Sequence, residues 1–188
     1  ESVSNVTFED NDITYKHKKP DRYYMKWNSG DREGMEALYA GAKYDNEVLA
    51  HKGGMFSFVT VGLDPRGSTA MKGNRHPITE SDLGFIISTI TKEYTKAKYD
   101  SEASFYFGGE SYLFGRKVIY ISASFPADKG YYAHFIELYT DKILMLPLKI
   151  DIFGWNYELL ESYSFKDLTI NCGLTETDFD KNNPDYGF

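Results

Sequence analysis

Apolar and polar residues alternate along the first third of the chain with the period of two that is typical of β-strands. Within residues 22–27, the side chains of Tyr23, Met25 and Trp27 fall on one face of such a strand. The same pattern recurs at residues 34–40, 47–52 and 55–63, and residues 1–10 also have the pattern of a strand or extended segment. Short strands separated by turn residues at this spacing predict an antiparallel meander.

The middle of the chain changes to the period of an α-helix. Apolar residues recur at helical spacing in a narrow stripe formed by Leu83, Ile86, Ile87, Ile90, Tyr94 and Ala97. Thr79 is predicted to cap this helix, with Glu80 and Asp82 in the first turn, where the helix dipole favours carboxylates. The predicted helix therefore spans about residues 80–97.

Phe85 lies away from that stripe, at about 200° from Leu83 on a helical wheel. Two interpretations are open. If the helix covers a cavity, Phe85 contacts a ligand, a partner or a second sheet. If it covers only core, Phe85 is an exposed apolar residue without a role, which is common in soluble proteins.

Strand patterns resume after the helix, at residues 104–107, 116–125, 131–140, 148–153 and 157–171, with glycine-containing turns between them. Nine or ten strands with one helix predict a mainly β (α+β) fold. We expect a curved antiparallel sheet or an open β-barrel with the inserted helix packed against it, in a single domain of residues 1–188. The polar tail at residues 175–188 is predicted to lie over the surface.

Composition narrows the possible partners. The chain carries 28 acidic and 21 basic residues, a net charge of −7, and it lacks the basic footprint of a nucleic-acid-binding protein. No apolar run approaches the ~20 residues that cross a bilayer, so no transmembrane segment is expected. The content of 16 Tyr and 13 Phe suits strands, and walls that present an apolar face with a polar edge. Because the chain begins at Glu1, we interpret it as a processed or trimmed chain from which a signal peptide has been removed.

Signatures of catalysis and metal binding are missing from the sequence. There is no Gly-x-Ser-x-Gly elbow or phosphate-binding loop, and the four histidines are scattered. The single cysteine, Cys172, is expected to be a small buried apolar residue. Residues 178–182 match the start of an EF-hand loop, but Asn183 replaces its glycine and the chain ends before its twelfth position. We therefore expect a non-catalytic protein without a metal or cofactor.

Arg75 and His76 lie directly before the predicted helix. A helix N-terminus with basic side chains nearby can bind a phosphate or carboxylate. The structural alternative is that both side chains hydrogen-bond loop carbonyls and fix the start of the helix, because a packed loop must satisfy its own backbone groups.

Several motifs occur together in a fixed order along the chain. They are residues 24–27 (Tyr-Met-Lys-Trp), 34–39 (Gly-Met-Glu-Ala-Leu-Tyr), 63–65 (Leu-Asp-Pro), 70–72 (Ala-Met-Lys), 74–79 (Asn-Arg-His-Pro-Ile-Thr) and 183–188 (Asn-Pro-Asp-Tyr-Gly-Phe). The series resembles the bacterial family called domain of unknown function 1571, from about Ile13 to the C-terminus. Residues 137–171 are also similar to the LolA-like periplasmic lipoprotein carriers and to the sensor domains that restrain the envelope-stress sigma factor.

This resemblance implies an open antiparallel barrel whose concave face holds acyl chains beneath helices. We expect an extracytoplasmic domain of the bacterial envelope that binds a lipid or a lipoprotein acyl chain, as a carrier or a sensor, with an envelope protein as a further partner. The residues expected to contact the ligand are Tyr23, Met25, Trp27, Arg75, His76 and Phe85. A second interpretation is a protein-interaction or scaffold domain whose interior is filled by side chains.

Overall fold

The computed structural model describes residues 10–54 and 59–188. The chain divides into two compact units, one formed by Glu1–Asp82 with Asn171–Phe188 and the other by Leu83–Ile170. Residues 1–9 of the predicted strand or extended segment at 1–10, and residues 55–58 of the predicted strand at 55–63, lie outside the described residues. That the two units form a single domain stays a prediction.

The first unit contains sheet 1, an antiparallel meander of five strands in the order β1-β2-β3-β4-β5. Its strands are β1 (Ile13–Lys18), β2 (Arg22–Trp27), β3 (Glu36–Tyr39), β4 (Val48–His51) and β5 (Thr60–Leu63). The alternation predicted for β2 is present, but both of its faces are covered. Tyr23 and Trp27 are buried on one face and Tyr24 is buried on the other.

The second unit contains the α-helix, α1 (Leu83–Asp100), and sheet 2, which has the strand order β10-β9-β8-β7-β6. Its antiparallel strands are β6 (Ser104–Leu113), β7 (Arg116–Ser124), β8 (Phe135–Asp141), β9 (Pro147–Phe153) and β10 (Leu159–Ser164). The predicted fold class, mainly β and antiparallel with one helix packed on a sheet, is confirmed. The strands form two sheets, and neither closes into a barrel within the described residues.

Several predicted element boundaries are wrong, and three of them have a local reason. The α-helix begins at Leu83, because Ile78–Glu80 forms a separate 3-10 turn that contains the predicted cap Thr79. The glycines at 108 and 109 form a β-bulge inside β6 instead of ending it. The long strand predicted at residues 157–171 ends at Ser164, since its partner β9 pairs with it only as far as Lys149.

Most of the C-terminal strap, residues 175–188, lies over the surface as predicted, but its aromatic side chains are partly or fully buried. Phe179 is fully buried in an apolar cluster with Tyr24 and Leu38 of sheet 1. Tyr186 stacks on Tyr24 with ring centroids 4.0 Å apart. Aromatic residues spaced along a polar tail therefore anchor it to one face of sheet 1.

The expectation for Cys172 is wrong, since that side chain is exposed just before the strap.

Polar contacts fix the first half of the strap. Lys16 lies 3.1 Å from Asp178, and Lys43 lies 2.9 Å from Asp180. Asp178 also completes a capping box with Thr175 at the start of a 3-10 turn. These contacts account for the carboxylates of the EF-hand-like segment, and no group of three metal-ligating side chains is found in the described part of the chain.

Replacing Phe179 with alanine should lower the free energy of unfolding by about 3–5 kcal/mol, because it leaves a cavity in the cluster beneath the strap. Urea unfolding of the purified chain measures this change. Tyr99→Ala is the control, since Tyr99 is 90% exposed on the last turn of α1 and its loss should change stability little. Equal effects of the two substitutions would contradict the buried position of the strap.

Gly108→Ala should destabilise the chain by about 1–3 kcal/mol, since an added Cβ would lie 2.3 Å from the Tyr120 ring. That ring cannot move aside easily, because its hydroxyl lies 2.5 Å from the Glu137 carboxylate and the Tyr139 ring packs against it. The same substitution in a Tyr120→Ala background should cost much less, as measured by thermal unfolding. A similar cost in both backgrounds would show that the ring does not set the requirement for glycine.

Candidate functional site

Helix α1 packs on sheet 2 through a line of residues one or two turns apart. Ile86, Glu93 and Ala97 are its buried positions, and they face a core that includes Phe125, Ile136 and Ile152. The predicted apolar stripe contains Ile86 and Ala97, but it omits Glu93. An acidic residue in this line could not be recognised from hydrophobic periodicity alone.

Glu93 is buried because its carboxylate has a backbone partner. Its Oε2 accepts a hydrogen bond from the N–H of Tyr132 at 3.0 Å, which satisfies a donor in the loop before β8. One turn further along α1, the Lys96 ammonium lies 4.2 Å from the centroid of the Tyr131 ring and donates to the carbonyl of Lys129. These polar contacts fix the helix over one end of sheet 2.

Beside β6, that face carries apolar residues and is only partly covered. Tyr94, on the side of α1 that faces β6, contacts the ring of Phe105 with centroids 5.0 Å apart. Beyond Phe105, the side chain of Phe107 is 67% exposed. We call this surface the aromatic shelf, and it consists of Tyr94, Phe105 and Phe107 with the half-buried Ile119, Ile121 and Leu138.

Strand register places the members of the shelf on one face. Phe107 pairs with Ile121, and Ile121 pairs in turn with Leu138, so the three side chains form a row across β6, β7 and β8. The bulge at Gly108–Gly109 follows directly, with Gly109 at φ +84°. Such a bulge bends an edge strand and increases its twist. The shelf therefore ends at a curved sheet edge.

The sequence did not identify the shelf as a site. Its strand pattern was recognised, but the aromatic residues of β6 were assigned no role. Tyr106, on the opposite face of the same strand, is also exposed, at 62%, so the sequence alone does not distinguish the two faces. A run of three aromatic residues predicts a strand without indicating which face remains uncovered.

The structure brings Tyr23, Met25 and Trp27 together on one face of β2, as predicted. Trp27 is buried in a cluster with Ala37 and Val48, and Met25 and Ile78 pack against it. The hydroxyl of Tyr23 lies 3.1 Å from the carbonyl oxygen of Thr79 and 3.2 Å from the Asp82 carboxylate. These contacts are those of a packed core, and contact with a ligand at this face stays a prediction.

A polar network surrounds that face of sheet 1. Tyr15 accepts a hydrogen bond from the Ser81 hydroxyl at 3.3 Å, and His17 stacks on Tyr23 at 4.7 Å. Burial, with Asp82 adding to it, raises the pKa of both Tyr15 and Tyr23 above the usual tyrosine range. Burial also lowers the pKa of His17. The network thus holds neutral tyrosine hydroxyls and a neutral imidazole at neutral pH beside the Asp82 carboxylate.

The loop before the helix contains the other predicted residues. His76 Nδ1 lies 3.3 Å from Glu80 Oε2, and the same carboxylate pairs with Arg66, while Arg75 is exposed. The contact of His76 favours the structural interpretation for that residue. Phe85 is half-buried on α1. A ligand contact for Arg75, His76 or Phe85 stays a prediction.

No helix in the described part of the chain combines the length and the apolar character that a membrane crossing requires.

Ionisation of Tyr131 should lower stability at alkaline pH. Burial, and then its hydrogen bond to Glu102, raises the pKa of Tyr131 from 10.0 to about 12. The folded chain therefore binds this proton more tightly than the unfolded chain, so the stabilisation is complete below pH about 10 and is lost towards pH about 12. Urea unfolding across this range should show the difference between the wild type and Tyr131→Phe shrinking as the pH rises. A difference that is independent of pH would contradict the assignment.

Several solved structures are similar to the chain at low identity. MucB has 19% identity and a TM-score of 0.49, with 93% of this chain covering 52% of that one. The Pseudomonas aeruginosa MucA/MucB complex has 16% identity and a TM-score of 0.48, and the match covers 94% of this chain and 51% of that one. A LolA superfamily protein from Nitrosomonas europaea has 8% identity and a TM-score of 0.31, and the match covers 89% of this chain and 66% of that one.

The chain spans about half the length of the MucB chains. At such identities and TM-scores, similarity does not transfer a ligand, a partner or an activity. No curated protein matches the chain. A family model described as "Protein of unknown function (DUF1571)" matches residues 3–188, which include every motif of the ordered series. The chain therefore belongs to the DUF1571 family.

Proposed function

We propose that the chain is a non-catalytic, extracytoplasmic binding domain that holds the acyl chain of a lipid or lipoprotein against the aromatic shelf. The observation that carries this proposal is the incomplete cover of one apolar sheet face. Helix α1 buries one end of that face through Ile86 and Ala97, while Phe107 at the edge remains mostly exposed. Apolar surface left uncovered beside a well-packed core is typical of binding sites.

The chemistry of the shelf fits an acyl chain better than a polar ligand. Its six side chains are aromatic or aliphatic, and the Tyr94 hydroxyl is the one polar group among them. Burying acyl surface gives about 0.8 kcal/mol per CH₂ before the costs of binding. A flexible chain can also follow a curved row of side chains across three strands. The shelf thus supplies hydrophobic burial without stereospecific hydrogen bonds.

The proposal also places the chain outside the cytoplasm and includes an envelope protein as a second partner. In a carrier the acyl chain would leave again, and in a sensor its arrival would change the contacts of that partner. Tyr23, Met25 and Trp27 remain a second predicted ligand-binding face. The scaffold interpretation is the competing one, in which the shelf contacts no lipid.

Phe107→Ser should weaken binding of an acyl ligand by about tenfold or more, since it removes the most exposed ring of the shelf. The probe is a dansyl-labelled undecanoic acid, titrated by fluorescence and displaced with palmitate. Stability should change by only about 0.5 kcal/mol, as expected of an exposed position.

Tyr106→Ser is the matched control, because Tyr106 has nearly the same exposure on the opposite face of β6. We expect the control to bind the probe as the wild type does. If the wild-type chain fails to bind the probe, or if both substitutions weaken binding equally, the proposed site is wrong.

A further inference from the structure

Two hairpin turns at one end of sheet 2 expose apolar side chains to solvent. The turn between β8 and β9 presents Ile143 at 86% exposure and Met145 at 66%. The turn between β6 and β7 presents Phe114, and Tyr112 precedes it on the exposed edge strand. We call these four side chains the apolar rim.

The two turns are neighbours at the same end of the sheet. Val118 of β7 pairs with Asp141 of β8, and the N–H of Lys142 donates to the carbonyl of Lys117 at 3.0 Å. Adjacent strands are about 4.8 Å apart, so the centres of the two turns are separated by roughly 10 Å. The four side chains of the rim therefore form one surface rather than two separate ones.

A buried carboxylate holds the larger turn in shape. Asp141 is almost fully buried, and its Oδ1 accepts hydrogen bonds from the N–H groups of Ile143 at 2.8 Å and Leu144 at 2.6 Å. Its Oδ2 lies 2.5 Å from the guanidinium of Arg116. These bonds, with Arg116 beside them, keep the pKa of Asp141 below its usual value. The exposed residues thus stand on an ordered base.

Both turns also place an apolar side chain where the backbone disfavours it. Phe114 has φ +51° and Met145 has φ +55°, in the left-handed region. A two-residue hairpin turn such as Phe114–Gly115 ordinarily has asparagine, aspartate or glycine at its first position. Folding alone would favour those residues. Strained positions of this kind are a reason to look for a function.

Charged side chains also lie beside the apolar rim. Arg116, Lys117 and Lys142 lie at the rim, and the nearby carboxylates are Glu110 and Asp141. Three cations against two carboxylates make this end locally positive, although the whole chain has a net charge of −7. Lysines beside exposed aromatic and aliphatic residues are typical of surfaces that enter the headgroup region of a bilayer.

We propose that the apolar rim docks this end of sheet 2 on a lipid membrane surface, with Ile143, Met145 and Phe114 entering the boundary between headgroups and acyl chains. A projecting turn fits a bilayer because a fluid surface needs no preformed pocket to receive it. The rim consists of residues outside the aromatic shelf, and this docking does not depend on acyl binding there.

The test is co-sedimentation of the full chain with vesicles of phosphatidylcholine alone and of phosphatidylcholine mixed with phosphatidylglycerol. The wild type should bind both, and bind the mixture more tightly because of the lysines. The double variant Ile143→Ser/Met145→Ser should partition about tenfold or more weakly into both. Tyr99→Ser, at 90% exposure on α1, should bind as the wild type does.

Phe114→Asn separates docking from folding. Asparagine before Gly115 suits the turn, so the melting temperature should stay the same or rise while vesicle binding falls. Absence of wild-type binding to either vesicle would overturn the proposal. Folded rim variants that bind the vesicles as tightly as the wild type would also overturn it. If the rim variants lose vesicle binding but still bind the acyl probe, membrane docking and acyl binding are separate properties of the chain.

Discussion

The packing of helix α1 over only part of sheet 2 is the constraint on which the proposed function depends. A sheet of five strands presents more apolar surface on one face than a single helix can cover. The line of Ile86, Glu93 and Ala97 sets which part is buried, and the bond from Glu93 to the Tyr132 N–H fixes the helix there. The uncovered remainder is the aromatic shelf. A second helix or a longer loop over Phe107 would give an ordinary core.

The two sheets use their apolar faces differently. In sheet 1 the C-terminal strap covers one face through Phe179 and Tyr186, and the residues around Trp27 fill the other. Beneath the strap, Glu36 accepts hydrogen bonds from the Tyr24 hydroxyl at 3.0 Å and the Gly187 N–H at 3.2 Å. Burial and then Glu36 raise the pKa of Tyr24. The central strands of sheet 1 thus have both faces covered, while sheet 2 leaves apolar surface open.

Sequence periodicity predicted the elements well because burial of alternate residues is a local signal. The helix and the strands of both sheets except β1 were recognised from it, with boundary errors mainly at glycines and at the start of α1. Residues 13–18, which form β1, were assigned no element. It could not predict the strap, because the burial of Phe179 depends on contacts with residues more than 130 positions earlier. The shelf was missed for the same reason. Both faces of β6 are exposed. Which of them continues into the apolar surface beside the helix depends on where the helix packs, and spacing along one strand does not contain that information.

The positions of the shelf and the rim connect the two proposals. Helix α1 packs near Phe125 and Ile136, towards the end of sheet 2 that lies opposite the hairpin turns. The shelf continues from there along β7 through Ile121 to Ile119, and Lys117 at the rim follows two residues beyond. A membrane docked at the rim would therefore meet the open end of the shelf. An acyl chain that leaves the bilayer there would pass the ion pairs of Glu110 with Lys117 and Lys142 and then reach Ile119 and Phe107. Taken together, the two proposals favour the exchange of acyl chains at a membrane over their capture from solution.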